Sequence, residues 1–73
     1  FGSRSKDSLI TSAVKSRFLV TKHLDPTRVK VVTETSVVYL MGMVTHAEGD
    51  LAAERAATIE GVERIVKVFE YID

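Results

Sequence analysis

The run from Val37 to Ile72 constrains the fold most. It opens with eight residues, Val37-Val38-Tyr39-Leu40-Met41-Gly42-Met43-Val44, an apolar stretch of strand length. Thr45 then stands as a helix N-cap, and Glu48 three positions later completes a capping-box pattern. Leu51, Ala52, Arg55, Ala56 and Ile59 recur at helical spacing, and Gly61 reads as the glycine that ends that helix. Gly49 weakens its first turn by roughly 1 kcal/mol relative to Ala. Val62 to Ile72 contains a further strand. A strand, a helix and a strand in so short a span make a crossover unit, which is right-handed and leaves the two strands parallel.

Upstream, Asp7 and Ser8 are plausible N-caps for a first helix over about residues 7–21, with Ile10, Val14 and Phe18 at helical spacing. Pro26 turns Asp25 away from helix, so residues 22–27 read as a loop. Arg28-Val29-Lys30-Val31-Val32-Thr33 alternates and is rich in β-branched residues, the mark of a strand. Glu34-Thr35-Ser36 is then a short turn leading into the Val37 strand as an antiparallel hairpin. The expected class is α+β, ordered α-β-β-α-β, with a three-stranded mixed sheet covered on one face by two helices. Residues 7–73 form the single domain. Phe1-Gly2-Ser3-Arg4-Ser5 reads as a cut end or cloning scar, and residues 1–6 as a flexible segment.

At 73 residues the core is thin. No cysteine is present to staple it, and no apolar run reaches the 18 or so residues of a membrane span. Formal net charge is zero, but its distribution is uneven. Residues 1–23 hold five bases against one acid, and residues 24–73 hold five bases against nine acids. Positive potential is therefore local to the N-terminal quarter.

Nothing in the chain has the spacing of catalytic machinery. His23 and His46 stand apart from any ligand pattern and read as solvated histidines, so no metal or cofactor is expected. Ser12 and Ser16 lie one helical turn apart without a nucleophile elbow around either. Glu48, Asp50 and Glu54 read as a solvated helix face. No Gly-x-x-Gly loop, phosphate loop or aromatic stacking set points to nucleic acid.

Two surfaces remain for binding. On a helical wheel Ile10, Val14 and Phe18 point to the core, while Leu9, Ser12, Ala13, Ser16, Leu19 and Val20 gather on the other side. Lys15 borders that second face, and Lys6 and Lys22 lie near the helix ends. Exposed aliphatics with flanking lysines suit a shallow contact with an anionic membrane. The competing reading packs Leu9, Ala13 and Val20 beneath the second helix or the 22–27 loop. The second surface is the uncovered sheet face. If Val38, Leu40, Gly42 and Val44 face the helices, then Tyr39, Met41 and Met43 face away. In the last strand Ile65, Phe69 and Tyr71 share one parity and Val66, Val68 and Ile72 the other, and either set could face inward. The structural readings of the glycines are a close approach over Gly42, by helix packing, and a helix end at Gly61.

The second half resembles the BON domain, the bacterial OsmY-and-nodulation module. The likeness rests on Leu40-Met41-Gly42-Met43-Val44, an alanine-rich helix, and Gly61-Val62-Glu63-Arg64-Ile65, against the family's Leu-x-Gly-x-Val and Gly-Val-x-x-Val. It extends from Asp7 to Ile72 and is greatest to the second domain of two-domain outer-membrane lipoproteins of Gram-negative bacteria. Thr35-Ser36 and Lys67 depart from the Asn-Gly and Asn often found there. The resemblance implies a phospholipid-interacting module at the periplasmic face of the outer membrane, supporting membrane integrity, with the first helix as the anionic-lipid surface. Leu9 and Leu19 would be apolar contacts, Ser12 and Ser16 head-group hydrogen-bonders, and Lys15 the charge partner. It also implies an alternative. In envelope or osmotic-stress proteins the open sheet, through Tyr39, Met41 and Met43, would receive a sister BON domain or another protein.

Overall fold

The computed structural model describes residues 2–73. The elements are α1 (Gly2–Leu19), a 3-10 turn (Pro26–Arg28), β1 (Lys30–Glu34), β2 (Val37–Val44), α2 (His46–Ala57) and β3 (Arg64–Tyr71). The sheet order is β1-β2-β3, with β1 antiparallel and β3 parallel to the central strand. This is the expected α+β order, with both helices on one face.

Ile10, Val14 and Phe18 are spaced one turn apart and all buried, so a single stripe of α1 enters the core. They meet Val38, Leu40 and Val44 of β2, Val31 of β1, and Ala52 and Ala56 of α2. The two alanines lie four apart on one face of α2 and let that helix approach closely. Removing a ring such as Phe18 costs about 3–5 kcal/mol, comparable to the roughly 3–5 kcal/mol that a core this small supplies.

Several local expectations are corrected. The first helix spans Gly2–Leu19 rather than 7–21, so Asp7 and Ser8 sit within it and do not cap it. Phe1, in the segment expected to be flexible, lies outside the described residues. The first strand begins at Lys30 rather than Arg28, because the Asp25 carboxylate accepts the Thr27 N–H and caps the 3-10 turn through Arg28. The second helix stops at Ala57, with Thr58 at its C-cap. Gly61 takes its left-handed φ of 97° in the turn beyond and does not end the helix itself.

Gly42 is indeed a point of close approach, but not by a helix. A Cβ there would lie 2.0 Å from the Arg28 carbonyl oxygen, so it is the backbone of the 3-10 turn that presses on the strand. The close helix contact falls instead at Gly49, where a Cβ would meet the Phe69 and Tyr71 rings at 3.0 and 3.1 Å. The glycine that weakens the first turn of α2 is the one that seats α2 on β3.

The register settles the parity of the last strand. Ile65 pairs with Val38, Phe69 with Gly42 and Tyr71 with Val44, so these share the helix-covered face. Val66 and Val68 lie beside Tyr39 and Met41 on the open face.

Candidate functional site

The core stripe of α1 places the opposite face of the helix in solvent. Leu9, Ser12, Lys15, Ser16 and Leu19 are all exposed there. Leu9 and Leu19 each keep 71% of their surface, and the neighbouring Val20 keeps 77%. Packing beneath α2 or the following loop is therefore not the fate of Leu9 or Val20. Ala13 is half-buried, in a shallow groove that also involves Lys6, Leu9, Ile10, Glu60 and Gly61. Two leucines and a valine stand on a ridge whose middle is Ser12 and Ser16, with the Lys15 amine at its border.

The ridge is held rigidly from below. Asp7, one turn before Thr11, reaches the hairpin turn: Thr35 N–H donates to its Oδ2 at 2.8 Å and Ser36 N–H to its Oδ1 at 2.9 Å. Thr11 Oγ1 donates to Thr33 Oγ1 at 2.7 Å. These bonds tie α1 to β1 and fix its rotation, which decides the side chains facing outward.

At the C-terminal end of α1, Arg17, Val20, Thr21 and Lys22 share a shallow depression with Arg55 of α2. Arg17 and Arg55 did not figure in the sequence reading of the ridge. Arg17 sits near the wheel's boundary, and Arg55 arrives from a helix more than thirty residues away. Arg55 also pairs with Glu54 at 3.6 Å.

The open sheet face is the other candidate surface. Tyr39 and Met41 are half-buried there, while Met43 and Val68 keep 57% and 53% of their surface. Val32 and Val66 flank Tyr39 across the register. Together they form an apolar band with Lys30, Glu34, Arg64 and Glu70 around it.

His46 is exposed, yet it is not simply a solvated histidine. Its ring stacks on Tyr71, with centroids 3.8 Å apart and planes 9° from parallel. Its Nδ1 lies 2.9 Å from Asp73 Oδ1, and its backbone N–H donates to the same carboxylate. Those bonds hold the Asp73 carboxyl below its ordinary range, the ring contact contributing most. The acids of α2 are likewise partnered: Glu48 closes the capping box on Thr45, and Asp50 accepts from Lys67 at 3.3 Å. Among the described residues no three His, Cys, Asp or Glu side chains gather as a metal group. No described helix is long and apolar enough to cross a membrane.

Comparison with known proteins places this geometry in context. A family model described as the BON domain matches residues 6–73. The chain is 42% identical over 73 residues to the outer membrane lipoprotein DolP of Haemophilus influenzae, covering 100% of this chain and 38% of that protein. It is 42% identical over 71 residues to a 21 kDa hemolysin of Actinobacillus pleuropneumoniae, covering 97% of this chain and 37% of that protein. The chain thus spans under two fifths of the length of these relatives.

Proposed function

We propose, since the chain belongs to the BON domain family, that residues 7–73 are a non-catalytic module that docks on anionic phospholipid through α1. The module would serve an envelope lipoprotein at the inner face of the outer membrane and support the integrity of that membrane. The observation that carries this reading is the ridge itself: Leu9 and Leu19 on one face of α1, and Val20 just past its end, stand more than two-thirds exposed. Full burial of such a side chain is worth about 1.5–3 kcal/mol, so partial insertion of three contributes a few kcal/mol. Lys15, and the bases at the helix ends, each add about 1 kcal/mol near an anionic surface. Ser12 and Ser16, exposed between the leucines, would lie at head-group depth and offer hydroxyl donors. The sum describes a fast, reversible dock that weakens with salt.

An amide NMR titration with phosphatidylglycerol micelles and then phosphatidylcholine micelles tests it. Shifts confined to residues 6–22, selective for the anionic lipid and reduced by salt, are expected. Leu9→Ser combined with Lys15→Glu should weaken vesicle binding by at least about tenfold while the domain stays folded. Folded variants that bind like the parent would refute the assignment.

A second reading has its own observation, the exposed Met43 and Val68 on the open sheet. An apolar band of this kind suits a protein contact. There Tyr39, Met41 and Met43 would meet a sister BON domain or another envelope protein, and titration shifts would fall on β2 and β3 instead.

A further inference from the structure

Strand β3 is a free edge. It is last in the sheet order, runs eight residues from Arg64 to Tyr71, and contains no proline. An edge of this length presents unpaired backbone groups as a template for another strand. Ile72 N–H donates to Val44 O at 2.9 Å. The alternation of a strand then turns the amides of the even-numbered residues toward β2 and those of Ile65, Lys67, Phe69 and Tyr71 toward the free side.

We propose that this edge pairs antiparallel with β3 of a second copy, about a two-fold axis at Lys67. Outward-facing residues must meet outward-facing residues, which limits the register to axes that fall on a residue. With the axis on Lys67, Arg64 faces Glu70 of the second copy, Ile65 faces Phe69, and Val66 faces Val68. Moving the axis to Val66 or Val68 sets Arg64 against Val68 or Ile72 and loses both charge pairs. Arg64 and Glu70 lie on the open face, across from Val37 and Met43. Among the described residues neither has an ion-pair partner within its own chain. Antiparallel pairing about Lys67 supplies one to each, twice over by symmetry. At the axis the two Lys67 amines come together, but each already holds its own Asp50 at 3.3 Å, so the cluster is neutral.

The product is an isologous contact and a continuous six-stranded sheet. Its axis is perpendicular to the sheet, so all four helices lie on one side and the two α1 ridges face the same way. Should the lipid reading hold, two ridges on one membrane raise avidity without any new contact. The pairing itself does not depend on lipid. One strand pair falls short of the roughly 1,000 Å² of a stable interface, so the association is weak and exchanges rapidly.

The test is sedimentation velocity on this chain, without lipid, from micromolar to millimolar concentration, with amide exchange measured in parallel. The parent is expected to self-associate as concentration rises, with the outward amide of Lys67 becoming protected. Arg64→Glu and Glu70→Arg should each weaken association about tenfold, and the two together should restore it. Circular dichroism confirms that each variant folds. A parent that stays monomeric at millimolar concentration overturns the proposal and leaves the edge to a different strand. A folded double variant that fails to recover overturns it as well.

Discussion

Thr35 and Ser36 occupy the hairpin turn at φ of 50° and 66°, a left-handed pair of the kind a two-residue hairpin demands. Neither residue suits it. A side chain in that region costs about 1–2 kcal/mol, and asparagine and glycine are the residues that tolerate it. Replacing Thr35→Asn and Ser36→Gly should therefore stabilise the domain. The gain is reduced by the freedom glycine adds to the unfolded chain, about 0.4–1 kcal/mol. It is reduced a little further because Ser36 is only 6% exposed and its side chain makes contacts that glycine lacks. The net expectation is a gain of about 1–2 kcal/mol, at about 4–8 °C of Tm per kcal/mol for a domain of this size.

The strained pair is held by Asp7, whose two oxygens receive both turn amides. Hydrogen bonds to a charged group contribute about 1.5–3 kcal/mol. Asp7→Ala, which loses both bonds, should thus remove half or more of the domain's stability, and Asp7→Asn, which keeps one acceptor oxygen, should remove less. Urea and thermal melts followed by circular dichroism measure all three variants. A Thr35→Asn/Ser36→Gly variant that melts at or below the parent would refute the strain argument. An Asp7→Ala variant as stable as the parent would refute the clamp.

Other expectations follow from particular contacts. Gly42→Ala should prevent stable folding, since its Cβ would sit 2.0 Å from the Arg28 carbonyl oxygen at a φ of 138°. Gly49→Ala meets only the edges of two rings at 3.0 and 3.1 Å, and should lower the urea midpoint without unfolding the chain. Asp73→Asn should lower Tm at neutral pH. The Asp73 carboxyl titrates below its ordinary 3.8 in the folded state. Its contribution is therefore full above that value and is lost as pH falls through the lowered one, so the gap between the two proteins should close in acid. A gap that persists there would show that the carboxylate charge is not its source.

Much of the architecture is legible in local pattern. The capping box at Thr45 and Glu48, the alternation in β1 and the one-turn spacing of Ile10, Val14 and Phe18 each report on neighbours within a few residues. What escaped the sequence lies in contacts far apart along the chain. Asp7 has the composition of an N-cap, and its real partners are 28 and 29 residues away. Gly42 signals a close approach without naming the Arg28 carbonyl as the neighbour. Both parities of β3 are apolar, so only its register with β2 separates Phe69, against the core, from Val68, in solvent. The outward ridge was legible as a helical face, whereas Arg55 joins its basic end only through the packing of α2 beside α1.

The same geometry separates the candidate surfaces in direction. The α1 ridge looks away from the sheet, the apolar band around Met41 and Val68 looks the opposite way, and the edge of β3 opens sideways. On the proposed lipid reading, a module seated on a membrane by Leu9, Lys15 and Leu19 would therefore keep its open sheet face and its free edge accessible to protein. Lipid and protein contacts need not compete for one surface. The Asp7 clamp matters to this arrangement because it fixes the rotation of α1 on the sheet. A helix free to roll would bring Leu9 toward the core and Ile10 toward solvent, merging two faces that the hairpin turn holds apart.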